Sequence, residues 1–176
     1  MHQYTPDEHH RRSIRLRNYD YAQAGLYFIT IVTQHRICLF GDVVGDTMRI
    51  NDCGMMIQHY WDVLPIRFPA IRLDAYQIMP NHLHGIVEIL EPAAFPNAMD
   101  DDKNLELGHM PGAFKSEVTT AYIRGVREQG WLPFDRKLLQ RNYWEHVIRS
   151  NEEYQRLCWY MANNPDNWGS DSLRPA

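Results

Sequence analysis

Two histidines, His82 and His84, stand one residue apart inside the otherwise apolar segment MPNHLHGIVEI, residues 79–89. Alternate residues of a β-strand point to the same face, so a strand here would present the two imidazoles side by side. Imidazole binds several first-row divalent metals, and two ligands from one rigid element would suit such an ion. Gly85 leaves room for a close approach, and the Pro80-Asn81 pair predicts a turn beside the histidines. The competing interpretation is one satisfied core histidine and one surface histidine.

Two ligands make a weak site, and the segment WYMANNP offers a further one. Tyr160 and Asn164 are four residues apart and would share one face of a helix. The Asn164 oxygen could bind the metal, and the Tyr160 phenol could act as a nucleophile beside it. A phenol has a pKa of about 10 and needs a neighbouring cation to favour its phenolate form. The competing interpretations are an aromatic that packs on the sheet and an asparagine that caps the helix before Pro165.

Other metal-dependent classes lack their motifs in this sequence. There is no HExxH, which argues against a zinc protease. The pair is not extended into HxHxH, which argues against the histidine-triad nucleotide hydrolases.

The strands and helices that position these residues can be predicted from the sequence. β-Branched and aromatic runs predict strands, and helical periodicity with caps and prolines predicts helices. The order β-α-β-β-α-β-α predicts an α+β fold with one antiparallel sheet and helices packed mainly on one face. The predicted strands are 25–34, 71–80, 82–90 and 138–150, and the predicted helices are 54–64, 112–130 and 151–164.

The 176 residues predict a single domain, residues 1–176, with a basic N-terminal arm at 1–20 and an acidic surface loop at 91–110. The net charge of −4 hides basic clusters, since residues 111–149 hold seven basic and four acidic side chains. Ordinary solvated surface charge remains an alternative. The cations free to track phosphates would be Arg11, Arg12, Arg15, Arg17, Lys115, Arg141 and Arg149.

Three scattered cysteines without CxxC spacing predict free thiols in a reducing cytoplasm. No apolar run is long enough for a membrane span, and the charged start lacks a signal-peptide core. A cytoplasmic protein without membrane attachment is therefore expected.

Four motifs together resemble one known family. MPNHLHGIV, GAFKS, QRNYWEHVIRS and YMANNPDNW occur in the order seen in the REP-associated tyrosine transposases, part of the single-tyrosine HUH family. The resemblance extends from about Arg15 to Trp168. It implies an RRM-like (ferredoxin-like) sheet, with His82 and His84 as metal ligands and Tyr160 as the nucleophile. It also implies Asn164 as the third metal ligand, and the adjacent Asn163 is the alternative for that role.

The resemblance also implies a reaction and its partners. Tyr160 would attack a phosphodiester of single-stranded DNA near a hairpin, with Mg²⁺ or Mn²⁺ as the ion. The products would be a 5′-phosphotyrosine and a free 3′-hydroxyl, which a second strand could rejoin. Tyr143 and Trp144 could stack on unpaired bases, although core packing competes. A monomer is favoured and a homodimer stays open. The alternatives are an inactive hairpin-binding protein and a hydrolytic metal-dependent phosphodiesterase.

Overall fold

The computed structural model describes residues 23–91 and 109–175. The predicted arm at 1–20 and nearly all of the predicted loop at 91–110 lie outside these ranges. The strands are β1 (Gly25–Val32), β2 (Gly41–Val44), β3 (Thr47–Ile50), β4 (Ile71–Met79), β5 (His82–Ile89) and β6 (Trp144–Ile148). The helices are α1 (Asp52–Asp62), α2 (Leu64–Arg67), α3 (His109–Glu128) and α4 (Asn151–Ala162), with 3-10 turns at Gln34–Arg36 and Trp168–Ser170.

The main sheet has the strand order β4-β5-β1-β6, and every neighbouring pair is antiparallel. This confirms the predicted α+β fold with one main antiparallel sheet. The sequence reasoning missed the separate β2–β3 hairpin, which it interpreted as a strand end and a turn. Its strands are only four residues long and partly exposed, so the alternation of polar and apolar residues in β3 is too short to predict a strand.

The two faces of the sheet are covered unequally. Leu83 and Val87 of β5 point into the large core, where α1 and α3 contribute side chains such as Trp61, Phe114 and Val118. His82, His84 and Ile86 alternate with them and point to the opposite face. There α4 packs over a smaller cluster formed by Ile86, Ile148 and Met161. The helices thus lie mainly on one face, as predicted, and α4 lies on the face of the histidines.

Helix α4 begins where its caps predict. The Ser150 hydroxyl accepts a hydrogen bond from the Glu153 amide at 3.2 Å, and Glu153 Oε2 accepts one from the Arg149 amide at 2.9 Å. This reciprocal arrangement satisfies amides that the first turn leaves without helical partners. The cap therefore fixes the start of the helix that carries Tyr160.

Strand β6 is shorter than the predicted 138–150. The Lys115 ammonium donates hydrogen bonds to the carbonyl oxygens of Gln140, Arg141 and Asn142. Leu139 still forms an isolated bridge with Thr33, and the Gln140 amide donates to the Val32 carbonyl at 2.8 Å. The three carbonyl oxygens that follow are bound by a side chain, and the continuous ladder with β1 begins at Trp144.

The space that Gly85 leaves is filled by the Trp61 ring, which lies on the sheet face opposite the histidines. A Cβ at this position would lie 2.3 Å from Trp61 Cζ2. Because Trp61 is fully buried and cannot move aside, we expect Gly85→Ala to lower the free energy of unfolding by about 1–3 kcal/mol. Urea denaturation would measure this loss.

Gly112→Ala is the matched control, since Gly112 lies on the exposed side of α3 with no neighbour within 4 Å of its added methyl group. It should gain up to about 1 kcal/mol, the helix preference of alanine over glycine. Wild-type stability in Gly85→Ala would contradict the packing argument.

The described cysteines are free thiols: Cys38 is exposed, Cys53 buried and Cys158 half-buried. Among the described residues, no helix is both long enough and apolar enough to cross a bilayer.

Candidate metal and nucleophile site

The histidine pair lies at the start of β5, directly after the two-residue Pro80-Asn81 turn. His82 pairs with Met79 of β4 and Val32 of β1, so both neighbouring strands fix its position. The two imidazole centroids are 4.5 Å apart, and both side chains are buried. The prediction that the two imidazoles lie side by side on one strand face is therefore confirmed.

Asn81 fixes the protonation of His82. Its amide nitrogen donates to the Arg36 carbonyl at 2.9 Å and to the Leu173 carbonyl at 2.7 Å, so both amide hydrogens are used. The Asn81 Oδ1 that faces His82 Nδ1 at 2.8 Å must then accept, and Nδ1 must carry the proton. His82 Nε2 is left with a lone pair, as a metal ligand requires.

The His84 ring is held by a hydroxyl group. Thr30 Oγ1 lies 2.7 Å from His84 Nδ1, and the two residues are direct partners across β1 and β5. The Phe28 ring stacks on the imidazole at a centroid distance of 5.2 Å. His84 Nε2 therefore faces the cleft between the sheet and α4, where it lies 3.3 Å from the Tyr160 hydroxyl.

Burial keeps both imidazoles neutral. It lowers the pKa of His82 to about 4, although the nearby Asp171 carboxylate acts in the opposite direction. Burial also holds the pKa of His84 well below its usual value, and the adjacent His82 adds to that shift. At neutral pH both side chains are in the form that binds a metal ion.

Tyr160 is placed by α4 at the edge of this cleft, with its side chain 40% exposed. Burial raises the pKa of its phenol, Asp171 raises it further, and the neighbouring Asn164 side chain lowers it. By itself the phenol stays protonated at neutral pH. A cation beside its oxygen would be needed to favour the phenolate.

Of the two candidate asparagines, the structure brings Asn164 and not Asn163 to the histidines. Asn163 caps the C-terminal end of α4, and its amide donates to the Trp159 carbonyl at 2.7 Å. Asn164 is buried, and its amide lies close enough to His82 and Tyr160 to influence the pKa of both.

Asp171, which the sequence reasoning missed, completes the surroundings of His82. Its side chain is 5% exposed, and its Oδ2 lies 3.9 Å from His82 Nε2. Within the described part of the chain, His82 Nε2, Asn164 Oδ1 and Asp171 Oδ2 are all buried without a hydrogen-bond partner. Buried polar atoms without partners are costly, so these acceptors favour a bound cation.

The residues present fit a divalent metal ion. In the described ranges, no three His, Cys, Asp or Glu side chains form a group that could hold a metal by themselves. A neutral oxygen is therefore needed beside the histidines, and Asn164 offers one. Two imidazoles with a nearby amide and carboxylate form a mixed nitrogen and oxygen donor set, which suits first-row divalent ions.

The predicted DNA-binding cations fall partly inside and partly outside the described residues. Arg11, Arg12, Arg15 and Arg17 lie outside the described residues. Arg141 and Arg149 are exposed at the two ends of the β6 segment. Burial lowers the pKa of Lys115 to about 8, and its ammonium lies 5.1 Å from the Tyr143 ring centre. The carbonyl contacts of Lys115 give it a structural role, and its contact with DNA stays a prediction.

Asn81 and Thr30 are positioning residues that the sequence reasoning also missed. Thr30 is a polar residue in the apolar run of β1, and pairing β1 with β5 would have placed it opposite His84. Asn81 was interpreted only as a turn residue. Asp171 follows α4 after a loop, and no periodicity links it to the site.

Comparisons with known proteins show what this chain is similar to. No family model matches the chain. An uncharacterized protein of Haemophilus influenzae is 37% identical over 175 residues, which cover 97% of this chain and 96% of the relative. A second protein of that organism, named as a REP-associated tyrosine transposase, is 24% identical over 150 residues, or 85% of this chain and 75% of that protein.

A solved structure shares the fold. It is a REP-associated tyrosine transposase bound to a REP hairpin, with a TM-score of 0.60 and 20% identity, covering 88% of this chain and 74% of that one. The chain therefore belongs to the same family as the uncharacterized Haemophilus influenzae protein. In sequence and fold it resembles the REP-associated tyrosine transposases.

Proposed function

We propose that this protein cleaves and rejoins single-stranded DNA at hairpins through a covalent bond to Tyr160. One observation carries the proposal: the Tyr160 hydroxyl lies 3.3 Å from Nε2 of His84 within the same chain. The nucleophile and a buried pair of neutral imidazoles thus meet without a second protomer. A monomer is therefore the expected active form.

His82, His84 and Asn164 would hold a divalent metal, Mg²⁺ or Mn²⁺. When bound, the ion would polarise the phosphoryl oxygen and favour the Tyr160 phenolate. Asn81 would hold His82 in the required tautomer, and Thr30 would hold the His84 ring in place. Phe28 and Trp168 lie against the histidine rings and would limit the access of water.

In the proposed reaction, Tyr160 oxygen forms a bond to phosphorus while the bond to the 3′-oxygen breaks. The phenol proton is released, and the 3′-oxygen leaves as a hydroxyl after gaining a proton. The product is a 5′-phosphotyrosine, which a 3′-hydroxyl can attack in reverse to rejoin two ends. Because the covalent bond retains the energy of the phosphodiester, the cycle needs no ATP.

Two kinds of observation support hairpin DNA as the substrate. The chain shares its fold with a protein solved with a REP hairpin, and it has a homologue named as a REP-associated tyrosine transposase. Next to the candidate site, the open sheet face carries an aromatic side chain. Trp144 of β6 is directly opposite Thr30, which is opposite His84, so all three point to one face.

The Trp144 side chain is 66% exposed and lies two strands from His84, or about 10 Å. We propose that it stacks on an unpaired base beside the cleaved phosphate. Trp144→Ala should then weaken binding of a hairpin with a single-stranded extension by about 1–3 kcal/mol. Fluorescence anisotropy with and without the extension would measure this loss.

Leu132→Ala is the control for this variant, since Leu132 is an exposed apolar residue whose carbonyl accepts a hydrogen bond from Tyr122 of α3. It should bind both DNAs as the wild type does. An equal loss on the blunt hairpin and the extended hairpin would contradict stacking on an unpaired base.

A denaturing gel tests the proposed function. The wild-type protein is incubated with manganese and a hairpin substrate labelled at its 3′ end, so that the labelled fragment is the one joined to Tyr160. A band that migrates with the protein supports the proposal. Binding without cleavage would indicate a hairpin-binding protein, and free fragments without the band would indicate a hydrolytic phosphodiesterase.

A further inference from the structure

Asp171 lies beside the proposed metal site and is not one of its three proposed ligands. Its carboxylate Oδ2 is buried and has no hydrogen-bond donor in the described part of the chain. Nε2 of His82 lies 3.9 Å from this oxygen, and Nε2 carries a lone pair because Nδ1 holds the proton. Two acceptor atoms face each other here, so neither can satisfy the other.

One hydrogen bond within the segment 171–173 and two from other parts of the chain hold this segment over the site. Asp171 Oδ1 accepts from the Leu173 amide at 2.7 Å. The Arg36 guanidinium donates to the Ser172 carbonyl at 2.8 Å, and Asn81 donates to the Leu173 carbonyl at 2.7 Å. Asn81 therefore orients His82 and the Asp171 segment together. These contacts fix the position of the buried Asp171 carboxylate, which is not a solvent-exposed acid.

We infer that Asp171 is a fourth protein ligand of the metal ion, beside His82, His84 and Asn164. The inference rests on the proposed function, because it needs the same ion. In an octahedral site with bonds of about 2.1 Å, neighbouring donor atoms are about 3.0 Å apart. Asp171 Oδ2 lies 3.9 Å from His82 Nε2, so it would move about 1 Å closer when the ion binds. This movement would be made by the segment 171–173, which follows α4.

The chemistry of the donor set supports this role. Two imidazoles and an amide bring no charge to a divalent cation, whereas Asp171 brings one negative charge. Carboxylate oxygen is a preferred ligand of Mg²⁺ and Mn²⁺. In return, the ion would neutralise a carboxylate oxygen that is otherwise buried without a partner.

This reasoning gives opposite expectations with and without metal. Asp171→Asn removes the charge and keeps an Oδ1 that can accept from the Leu173 amide. Without metal, the variant should unfold at the same or a higher temperature than the wild type. With Mn²⁺ alone, the wild-type melting temperature should rise, and the variant should lose most of that rise. Electron paramagnetic resonance of free Mn²⁺ should show binding at least about tenfold weaker.

Two controls separate a ligand from a general charge effect. Asp166→Asn removes the same charge from an exposed residue of the same C-terminal segment and should bind Mn²⁺ as the wild type does. The loss in Asp171→Asn should also persist at about 1 M salt, where charges act over only about 3 Å. A loss that disappears at high salt would overturn the ligand assignment.

The outcomes distinguish this inference from the proposed function. If His82→Ala loses Mn²⁺ binding while Asp171→Asn keeps the wild-type affinity, Asp171 is not a ligand, and the proposed function stands. If His82→Ala binds Mn²⁺ as the wild type does, the metal site itself is wrong and both fail. Weakened binding in both variants supports the fourth ligand.

Discussion

The Tyr160→Phe protein is expected to form no covalent bond to hairpin DNA and still to bind that DNA with wild-type affinity. The change removes one oxygen atom, the one that lies 3.3 Å from His84 Nε2. The ring can keep its edge contact with Phe28, so the fold should be unaffected. Without the nucleophile there is no covalent route, and cleavage should fall to the background of the assay.

Two labels make this test sharp. A 3′ label follows the fragment joined to the protein, and a 5′ label follows the fragment that ends in a free 3′-hydroxyl. Tyr154→Phe is the control, since Tyr154 is also on α4 but donates to Asp74 Oδ2 at 2.9 Å, away from the histidines. A covalent band that persists in Tyr160→Phe, or one that is lost in Tyr154→Phe as well, would contradict the assignment of the nucleophile.

The His82→Ala protein is expected to lose cleavage by at least about a hundredfold while its hairpin affinity changes by less than about twofold. Changes next to a metal already cost 10–100-fold in affinity or activity, and a lost ligand should cost at least as much. Hairpin affinity should persist because phosphate contacts supply most of the binding energy. Single-turnover cleavage across a manganese titration and fluorescence anisotropy would measure the two effects.

His146→Ala is the matched control for this experiment. His146 is an exposed histidine on β6, on the same sheet face, with its Nε2 2.6 Å from Glu153 Oε1. Its loss should leave cleavage near the wild-type rate. If His82→Ala lowered binding and cleavage equally, the histidine would act in DNA binding or folding and not as a metal ligand.

The parts of the site that follow a local period could be predicted from the sequence. The i, i+2 spacing of His82 and His84 determines a shared strand face wherever β5 begins, and the i, i+4 spacing of Tyr160 and Asn164 determines a shared helix face. That these two faces meet was not visible in spacing. It depends on α4 packing on the sheet face opposite α1 and α3. The resemblance to a known family implied that Tyr160 and the histidines share a site, but it did not imply the face on which α4 packs.

The parts that were missed depend on contacts between distant segments. Asp171 reaches His82 across 89 positions of sequence because Arg36 and Asn81 hold its loop. The space beside Gly85 was assigned to the histidine site, because the sequence does not say on which sheet face Trp61 packs against Gly85. Lys115 was interpreted as a free cation, whereas its carbonyl partners at 140–142 become neighbours only in the fold.

The unequal cores on the two sheet faces also bear on motion. The large cluster joins β1, β5, α1 and α3, whereas α4 is held by Ile86, Ile148 and Met161 with a few half-buried neighbours. Local opening free energies follow the apolar contacts that an element makes, so α4 should detach long before the sheet unfolds. Tyr160 is on that helix and the histidines are on the sheet. Under the proposed function, a DNA end joined to Tyr160 could therefore move away from His82 and His84 with α4 and return, while β5 stays in place.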